Sequence, residues 1–141
     1  MLPASCCMNA RLAQKAQQIE EFVNDLISIK SASLEEYSKD KKTKAACERY
    51  LERIIESLVD LAHIKIRVMG LRTPEDDKET FDILASAGII TRELAVSLKE
   101  AKGMRNILAH QYGDIDDTII FESIDGDIET DAMEFVSAVL K

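Results

Sequence analysis

The sequence predicts an all-α protein, an antiparallel bundle of about five to six helices. Apolar residues recur at steps of three and four along most of the chain, which is the period of a helix and not the alternation of a strand. Only five glycines and two prolines occur in 141 residues, and helix stop signals leave only short connections between the periodic segments. We therefore expect a single helical domain over residues 1–141.

Two long amphipathic helices form the first half of this predicted bundle. The first covers about residues 9–29. Its buried face comprises Leu12, Ala16, Ile19, Val23 and Leu26. Ser33, with Glu36 three residues later, predicts a capping box that starts a short helix at about 34–38. The second long helix covers about 43–69 and ends at Gly70. Its buried stripe comprises Cys47, Leu51, Ile54, Leu58 and Leu61.

A third, shorter helix is predicted after Gly70. Thr73 is the expected N-cap, and Pro74 suits the first helical position because it has no amide hydrogen to leave unpaired. The helix is expected to bury Phe81 and Leu84 in the core. It should stop near residue 88, where a glycine stands.

The last two predicted helices carry most of the unusual residues of the chain. Thr91 is expected to cap a helix that ends near His110. Residues 114–117 offer aspartate caps for the final helix, and Gly126 is expected to kink or interrupt it. Its apolar residues are Ile119, Ile120, Ile124, Ile128, Phe135, Val136 and Leu140.

The net charge of −8 is concentrated in the final helix. The segment after residue 110 holds nine acidic residues and a single lysine, whereas residues 1–110 hold 17 acidic and 17 basic residues. The overall acidity therefore does not exclude a nucleic-acid substrate. Two interpretations of the acidic segment 114–134 stay open, a solvated face and a docking face for a partner. No apolar run approaches the roughly 18 residues of a membrane span, and no export signal is expected.

The three cysteines predict a reduced, cytosolic setting and no disulfide framework. Cys47 lies on the apolar stripe and is expected in the core. Cys6 and Cys7 are expected to lie in a frayed N-terminus. Their number and spacing indicate no metal site, and we expect neither a metal nor another cofactor.

Two polar segments each have two interpretations. A basic run comprises Lys39, Lys41, Lys42 and Lys44. It is either a solvated turn or a patch that attracts phosphate. A polar stripe on the second long helix comprises Arg49, Arg53, Glu56, Asp60 and His63. It is either a solvated face with pairs four residues apart, or the lining of a cleft.

The end of the fifth helix carries the candidate chemistry, on Arg105, Asn106, His110 and Tyr112. Histidine titrates near neutral pH and can take or give a proton. Arginine keeps its charge and presents a planar fork to phosphate oxygens. These side chains suit RNA cleavage without metal, in which a base activates the 2′-hydroxyl and a cation holds the phosphate. The alternative is that both cations merely offset the dipole of the helix.

The spacing of Arg105 and His110 restricts how they can act together. Five residues separate them, so their directions differ by roughly 140° on an ideal helix. Either the helix ends at His110, or each side chain meets its counterpart on a second copy of the chain. A dimer requires the least distortion.

The run from Arg105 to Tyr112 resembles the signature of the HEPN superfamily, which is an arginine, a polar residue, three variable residues and a histidine. The tyrosine two residues after the histidine resembles the HepT-like subfamily. The segment from Leu58 to Ile64 is also similar to that subfamily's second long helix. The resemblance covers nearly the whole chain.

This resemblance implies the toxin of a type VII toxin–antitoxin pair. Such proteins are homodimers with a shared cleft, and many are metal-independent endoribonucleases acting on tRNA or mRNA. Arg105 and His110 match the catalytic pair, with Asn106 as the supporting polar residue. The partner is a minimal nucleotidyltransferase antitoxin, which silences the toxin by AMP transfer to the tyrosine matching Tyr112.

Two further functions are compatible with the same resemblance. One is a non-catalytic subunit that binds nucleotide or acts as a scaffold for a nucleotidyltransferase, and the other is a purely structural helical dimer. Lys99, Lys102 and Arg105 on the motif helix are expected to offset the acidity of the chain towards RNA.

Overall fold

The computed structural model describes residues 4–110 and 116–141, and it describes side chains over residues 9–109 and 116–141. Seven α-helices contain most of these residues. They are α1 (Ala4–Ile29), α2 (Leu34–Lys39), α3 (Lys41–Met69), α4 (Asp77–Ser86), α5 (Arg92–His110), α6 (Asp117–Glu122) and α7 (Ile128–Leu140). A π-helical turn at Ser123–Asp127 joins α6 to α7 in one bent unit. The described chain is thus a six-helix bundle, and the predicted all-α class is confirmed.

Helix α3 is the centre of the bundle, in contact with α1, α2, α4, α5 and α7. The predicted apolar stripes of α1 and α3 are buried throughout, and Cys47 has no exposed surface. Phe81 of α4 packs edge-on against Phe135 of α7, with ring centroids 5.8 Å apart. This core holds the fifth helix, which carries the candidate site, against the central one.

Helix α1 begins at Ala4, five residues before the predicted start. Cys6 and Cys7 therefore have helical backbone, and the expectation of a frayed segment at these positions is wrong. The sequence from Ala4 to Asn9 contains no glycine or proline, so nothing in it opposes an extension of the helix.

Polar caps define the ends of α2 and α3. The backbone N–H of Glu36 donates to the Ser33 hydroxyl at 3.2 Å, which confirms the predicted cap. Asp40 accepts from the backbone N–H of Thr43 at 3.1 Å, so α3 starts two residues earlier than predicted. Gly70 ends α3 with a left-handed φ of 67°, a conformation that glycine adopts without steric cost.

The predicted start of α4 is wrong. Asp76 is the N-cap in place of Thr73, and its carboxylate accepts from the backbone N–H of Glu79 at 2.8 Å. The Glu79 carboxylate in turn accepts from the backbone N–H of Glu75 and from Arg72. Aspartate is a stronger N-cap than threonine, and these contacts hold the preceding segment outside the helix. The predicted Thr91 cap of α5 is confirmed by a 3.1 Å bond from the backbone N–H of Leu94.

The predicted interruption at Gly126 is confirmed. Its φ of 155° and ψ of −30° break the helical path between α6 and α7. Two of the apolar residues of this unit lie outside the core, since Ile119 and Leu140 are 57% and 48% exposed. The bend turns Ile120 and Phe121 inward and leaves Ile119 on the outer side of α6.

None of the helices in the described part of the chain combines the length and the apolar character needed to cross a membrane.

Candidate functional site

Helix α5 positions the predicted site residues at its C-terminal end. It stays helical from Arg105 to His110, its last residue. Arg105 and Asn106 are both half-buried. The side chain of His110 and the whole of Tyr112 lie outside the described residues. The structure therefore describes the side chain of Arg105 and the helical backbone that leads to His110.

Arg105 is held against the central helix by Glu56. Its Nη2 donates to the Glu56 Oε1 in a partly buried ion pair, with the side chains of Arg105 and Glu56 exposed to 20% and 42%. The buried Nε of Arg105 has no hydrogen-bond partner among the described residues. The guanidinium is thus oriented by one carboxylate while some of its five N–H donors are left for an incoming anion.

The two lysines that precede Arg105 on α5 are also paired with carboxylates. Lys102 Nζ lies 3.2 Å from the Asp77 carboxylate, and Lys99 Nζ lies 3.0 Å from that of Asp82. Each cation expected to offset the acidity of the chain therefore already has an anionic partner. The expectation that Lys99, Lys102 and Arg105 offset the acidity of the chain towards RNA stays a prediction, for cations that a phosphate must share with these carboxylates.

Asp77, at the start of α4, joins two helices of the site. It accepts from Lys102 of α5, and His63 Nε2 of α3 lies 3.3 Å from its other carboxylate oxygen. Partial burial raises the pKa of Asp77, but the hydrogen bonds from His63 and Lys102 outweigh it and bring the pKa below its ordinary value. The ionised carboxylate therefore fastens α3, α4 and α5 together beside the candidate site.

Replacing Asp77 with asparagine is expected to destabilise the fold in a pH-dependent way. Because the pKa is lowered by folding, the contribution is fully present above the unfolded value of about 3.9 and is lost as the pH falls through the folded value. We expect a loss of about 0.5–1 kcal/mol in the free energy of unfolding at pH 7, and a smaller loss at about pH 2.5, below the unfolded value. Urea unfolding at both pH values measures it.

The matched control for that substitution is Asp25→Asn, an exposed aspartate on α1 with no ion pair among the described side chains. It removes the same charge and should leave the free energy of unfolding nearly unchanged at both pH values. An equal loss at pH 7 and pH 2.5 for Asp77→Asn would contradict the assigned ionic role.

The polar stripe of α3 lines a cavity beside α1 at two of its residues, Asp60 and His63. Asp60 pairs with Lys15 of α1 at 3.5 Å, one turn after the contact of Glu56 with α5. His63, a further turn along, reaches α4. Among the described ion pairs of the stripe residues, only that of Arg49 with Glu52, at 3.3 Å, joins two residues of α3. The stripe thus lies between α1 on one side and α4 with α5 on the other, which favours the cleft over the freely solvated face.

The basic run lies where α3 begins, beside the start of α6. Lys44 Nζ is 2.6 Å from the Asp117 carboxylate of α6, and Lys39 pairs with Glu35 within α2. Lys41 and Lys42 are exposed. The run therefore contacts the first residue of α6, and two of its four lysines are neutralised by neighbours.

Residues suited to metal binding are not clustered in the described part of the chain, where no group of three or more His, Cys, Asp or Glu side chains is arranged to hold an ion. The chemistry available from the described site is that of a guanidinium, a polar amide and nearby ammonium groups.

The family model described as "Ribonuclease HepT-like" matches residues 12–139. The chain belongs to this family. The relationship suggested by the motif from Arg105 to Tyr112 is thereby confirmed, and the match includes every helix from α1 to α7, in whole or in part.

Named relatives and a solved structure are consistent with that assignment. The chain is similar to the "mRNA nuclease HepT" of Shewanella oneidensis, at 29% identity over 63% of this chain and 66% of that protein. It is also similar to the "tRNA nuclease HepT" of Aphanizomenon flos-aquae, at 26% identity over 78% of this chain and 75% of the relative. It spans just under two thirds of the length of the Shewanella nuclease.

The solved structure is a "tri-AMPylated Shewanella oneidensis HEPN toxin in complex with MNT antitoxin". Its toxin chain matches with a TM-score of 0.84 and 23% identity, over 91% of this chain and 95% of that one. At this identity the likeness shows a shared fold.

Proposed function

We propose that this protein is a metal-independent endoribonuclease and the toxin of a toxin–antitoxin pair, with Arg105 and His110 as its catalytic residues. The observation that carries the proposal is the position of Arg105. In a chain of the HepT-like family, the motif arginine lies half-buried beside the polar stripe of α3, held by a partly exposed carboxylate that a phosphate can displace.

The proposed reaction needs two groups from this motif. His110 takes the proton of a ribose 2′-hydroxyl, whose oxygen forms a bond to the adjacent phosphorus as the bond to the 5′-oxygen of the next nucleotide breaks. The leaving oxygen acquires a proton. Arg105 binds the phosphate oxygens, on which negative charge increases in the transition state. Asn106, one turn before His110, is placed to orient the imidazole or a phosphate.

The course of α5 supports a site shared between two copies. Because the helical backbone is continuous from Arg105 to His110, the two positions lie about 140° apart around its axis. Val96 and Ile107, three turns apart on one face of α5, are 54% and 46% exposed. A second copy packed against this face would cover both side chains. We propose a homodimer in which α5 of each copy lines one cleft.

Tyr112 is the proposed control point. The Shewanella toxin is described as AMPylated and in complex with an MNT antitoxin. Two residues separate Tyr112 from His110, a chain length of at most about 7 Å. An AMP group on its hydroxyl would place an anion where an RNA phosphate must bind. We propose a nucleotidyltransferase antitoxin as the enzyme that adds it.

The substrate class is RNA, and mRNA and tRNA are both candidates because the two named relatives differ in this respect. The test is cleavage of purified tRNA and mRNA in EDTA by the wild-type protein and by His110→Ala. We expect the wild type to cleave and the variant to lose about 10²- to 10⁴-fold in rate, as removal of a general base does. Equal cleavage, or none by the wild type, would leave the non-catalytic nucleotide-binding or scaffold role as the better description.

A further inference from the structure

Two adjoining cavities lie between α1 and the polar stripe of α3. We propose that this pair of cavities, the α1–α3 track, binds the sugar–phosphate backbone of RNA, with Arg11, Lys15 and Arg67 as the phosphate contacts. The inference rests on the proposed function and adds to it a substrate-binding site away from the catalytic pair.

The first observation is local positive charge. A cavity of about 400 Å³ is lined by Arg11, Lys15, Asp60, His63, Ile64 and Arg67. Three permanent cations therefore face one carboxylate, on a chain whose net charge is −8. A positively charged site attracts phosphate even though the net charge of the protein is negative. At physiological salt, charges more than about 8–10 Å away are largely screened and affect the site little.

The second observation is that these cations are unpaired or only weakly paired. Arg11 and Arg67 are exposed and have no ion-pair partner among the described side chains. Lys15 meets Asp60 at 3.5 Å, and that carboxylate is itself mostly exposed. Lys99, Lys102 and Arg105 of α5 differ, since each of these three already has a carboxylate partner. Binding a phosphate on the track therefore displaces fewer existing contacts than binding one on α5.

The third observation identifies nucleic acid as the ligand. A cavity of about 560 Å³ extends the track and shares Arg11, Lys15 and Ile64 with the first. It adds the amides of Gln14, Gln17 and Gln18, with Glu21 at its far end. Amide side chains both donate and accept hydrogen bonds, so they can bind phosphates, ribose hydroxyls and base edges. A peptide backbone offers both kinds of partner as well, and the row of phosphates in the substrate of the proposed function is what matches the three cations.

The fourth observation connects the track to the catalytic arginine. Glu56, which holds Arg105, and Asp60, which holds Lys15, are one turn apart on α3. Their separation along the helix is about 6 Å, and Arg67 lies about 10 Å beyond Asp60. A single strand that contacts Arg67 and Lys15 is thereby led to Arg105. The track accounts for how an acidic toxin retains an RNA strand while the motif acts on one phosphate.

The test measures RNA binding separately from cleavage. A fluorescent single-stranded RNA oligonucleotide is titrated in EDTA with His110→Ala, and with the same variant carrying Arg11→Gln and Arg67→Gln. We expect the two glutamines to weaken binding about tenfold at physiological salt, and to reduce the slope of log K against log salt by about 1.4, at 0.7 per phosphate contact. Circular dichroism verifies folding, which exposed substitutions should preserve.

The matched control replaces Lys41 and Lys42, two exposed lysines of the basic run, with glutamine. It removes the same charge and should change the affinity less than about twofold. A second variant with Arg11→Lys and Arg67→Lys should retain most of the affinity, because the charge is kept. The track would be overturned if the two glutamines left RNA binding unchanged, or if the Lys41/Lys42 control lost as much affinity. It would also be overturned if the two glutamines weakened binding of the antitoxin and not of RNA.

Failure of the track and failure of the proposed nuclease give different results. If the wild type binds RNA through these arginines and cleaves none, the track stands and the nuclease assignment is wrong. If the wild type cleaves RNA and the arginine pair binds as tightly as its parent, only the track is wrong. A wild type that neither binds nor cleaves RNA overturns both.

Discussion

Replacing Arg105 with alanine is expected to reduce the rate of RNA cleavage about 10²- to 10³-fold, the loss typical of removing one donor that stabilises a developing oxyanion. RNA affinity should fall far less, because most of the binding energy comes from the other phosphate contacts. Single-turnover cleavage in EDTA, with saturating protein, separates the two effects. The loss should therefore be seen in the rate of the chemical step.

The ion pair with Glu56 does not prevent Arg105 from acting. Glu56 is 42% exposed, and a pair of this kind contributes about 1 kcal/mol or less. A phosphate offers the guanidinium two parallel charge-assisted bonds, which are stronger than a single contact to a solvated carboxylate. The pair instead holds the guanidinium beside α3 before substrate arrives.

Two variants control for the loss of charge and for damage to the fold. Lys99→Ala removes another ion-paired cation from the same helix and should leave the cleavage rate within about threefold, because Lys99 lies nearly two turns before Arg105. Arg105→Lys keeps the charge but loses the planar fork, so it should restore only part of the rate. Cleavage by Arg105→Ala at nearly the wild-type rate would contradict the catalytic assignment.

The helices could be predicted from sequence because local signals determine them. The apolar period placed Leu12 to Leu26 and Cys47 to Leu61 on buried faces, and Gly70 and Gly126 marked the breaks. The start of α4 was misplaced because Thr73 with Pro74 and Asp76 with Glu79 are both good start signals. The choice between them depends on contacts of the folded chain, such as that of Arg72 with Glu79.

The surroundings of the site were much less predictable. The motif identified Arg105, but its partner Glu56 is 49 residues away in the chain, and no periodicity links the two. The pairing of Asp77 with both His63 and Lys102 likewise needs the packing of three helices. The one sequence signal for these contacts was the polar stripe on α3. A central helix that is otherwise buried has such a stripe only where other helices leave it uncovered.

The track on α1 was absent from the sequence-based site because its cations lie far from the motif. Arg11 and Lys15 occupy the outer face of an amphipathic helix, where charged residues are ordinary. Only the packing of α1 against α3 brings them to Asp60 and Arg67. Their significance comes from the unpaired state of the two arginines, which is a property of the fold.

Transfer of AMP to Tyr112 is expected to silence the nuclease. The tyrosine oxygen attacks the α-phosphorus of ATP, a bond forms between them, and pyrophosphate leaves. The added phosphate lies within two residues of His110 and repels the RNA phosphate there. Because like charges in a shared site cost several kcal/mol, we expect cleavage to fall about 10²-fold or more. Incubation with the nucleotidyltransferase and ATP, followed by a cleavage assay and peptide mass spectrometry, measures both effects.

Tyr112→Phe distinguishes a control residue from a catalytic one. It removes the acceptor oxygen and keeps the ring, so the variant should cleave RNA within about threefold of the wild type and resist silencing by the antitoxin. Tyr50→Phe, at a half-buried tyrosine on α3, is the matched control and should still be modified and silenced. A mass increase on peptides that lack Tyr112, or silencing of the phenylalanine variant, would show that the antitoxin acts elsewhere. Loss of cleavage in Tyr112→Phe without modification would place the hydroxyl in the reaction itself.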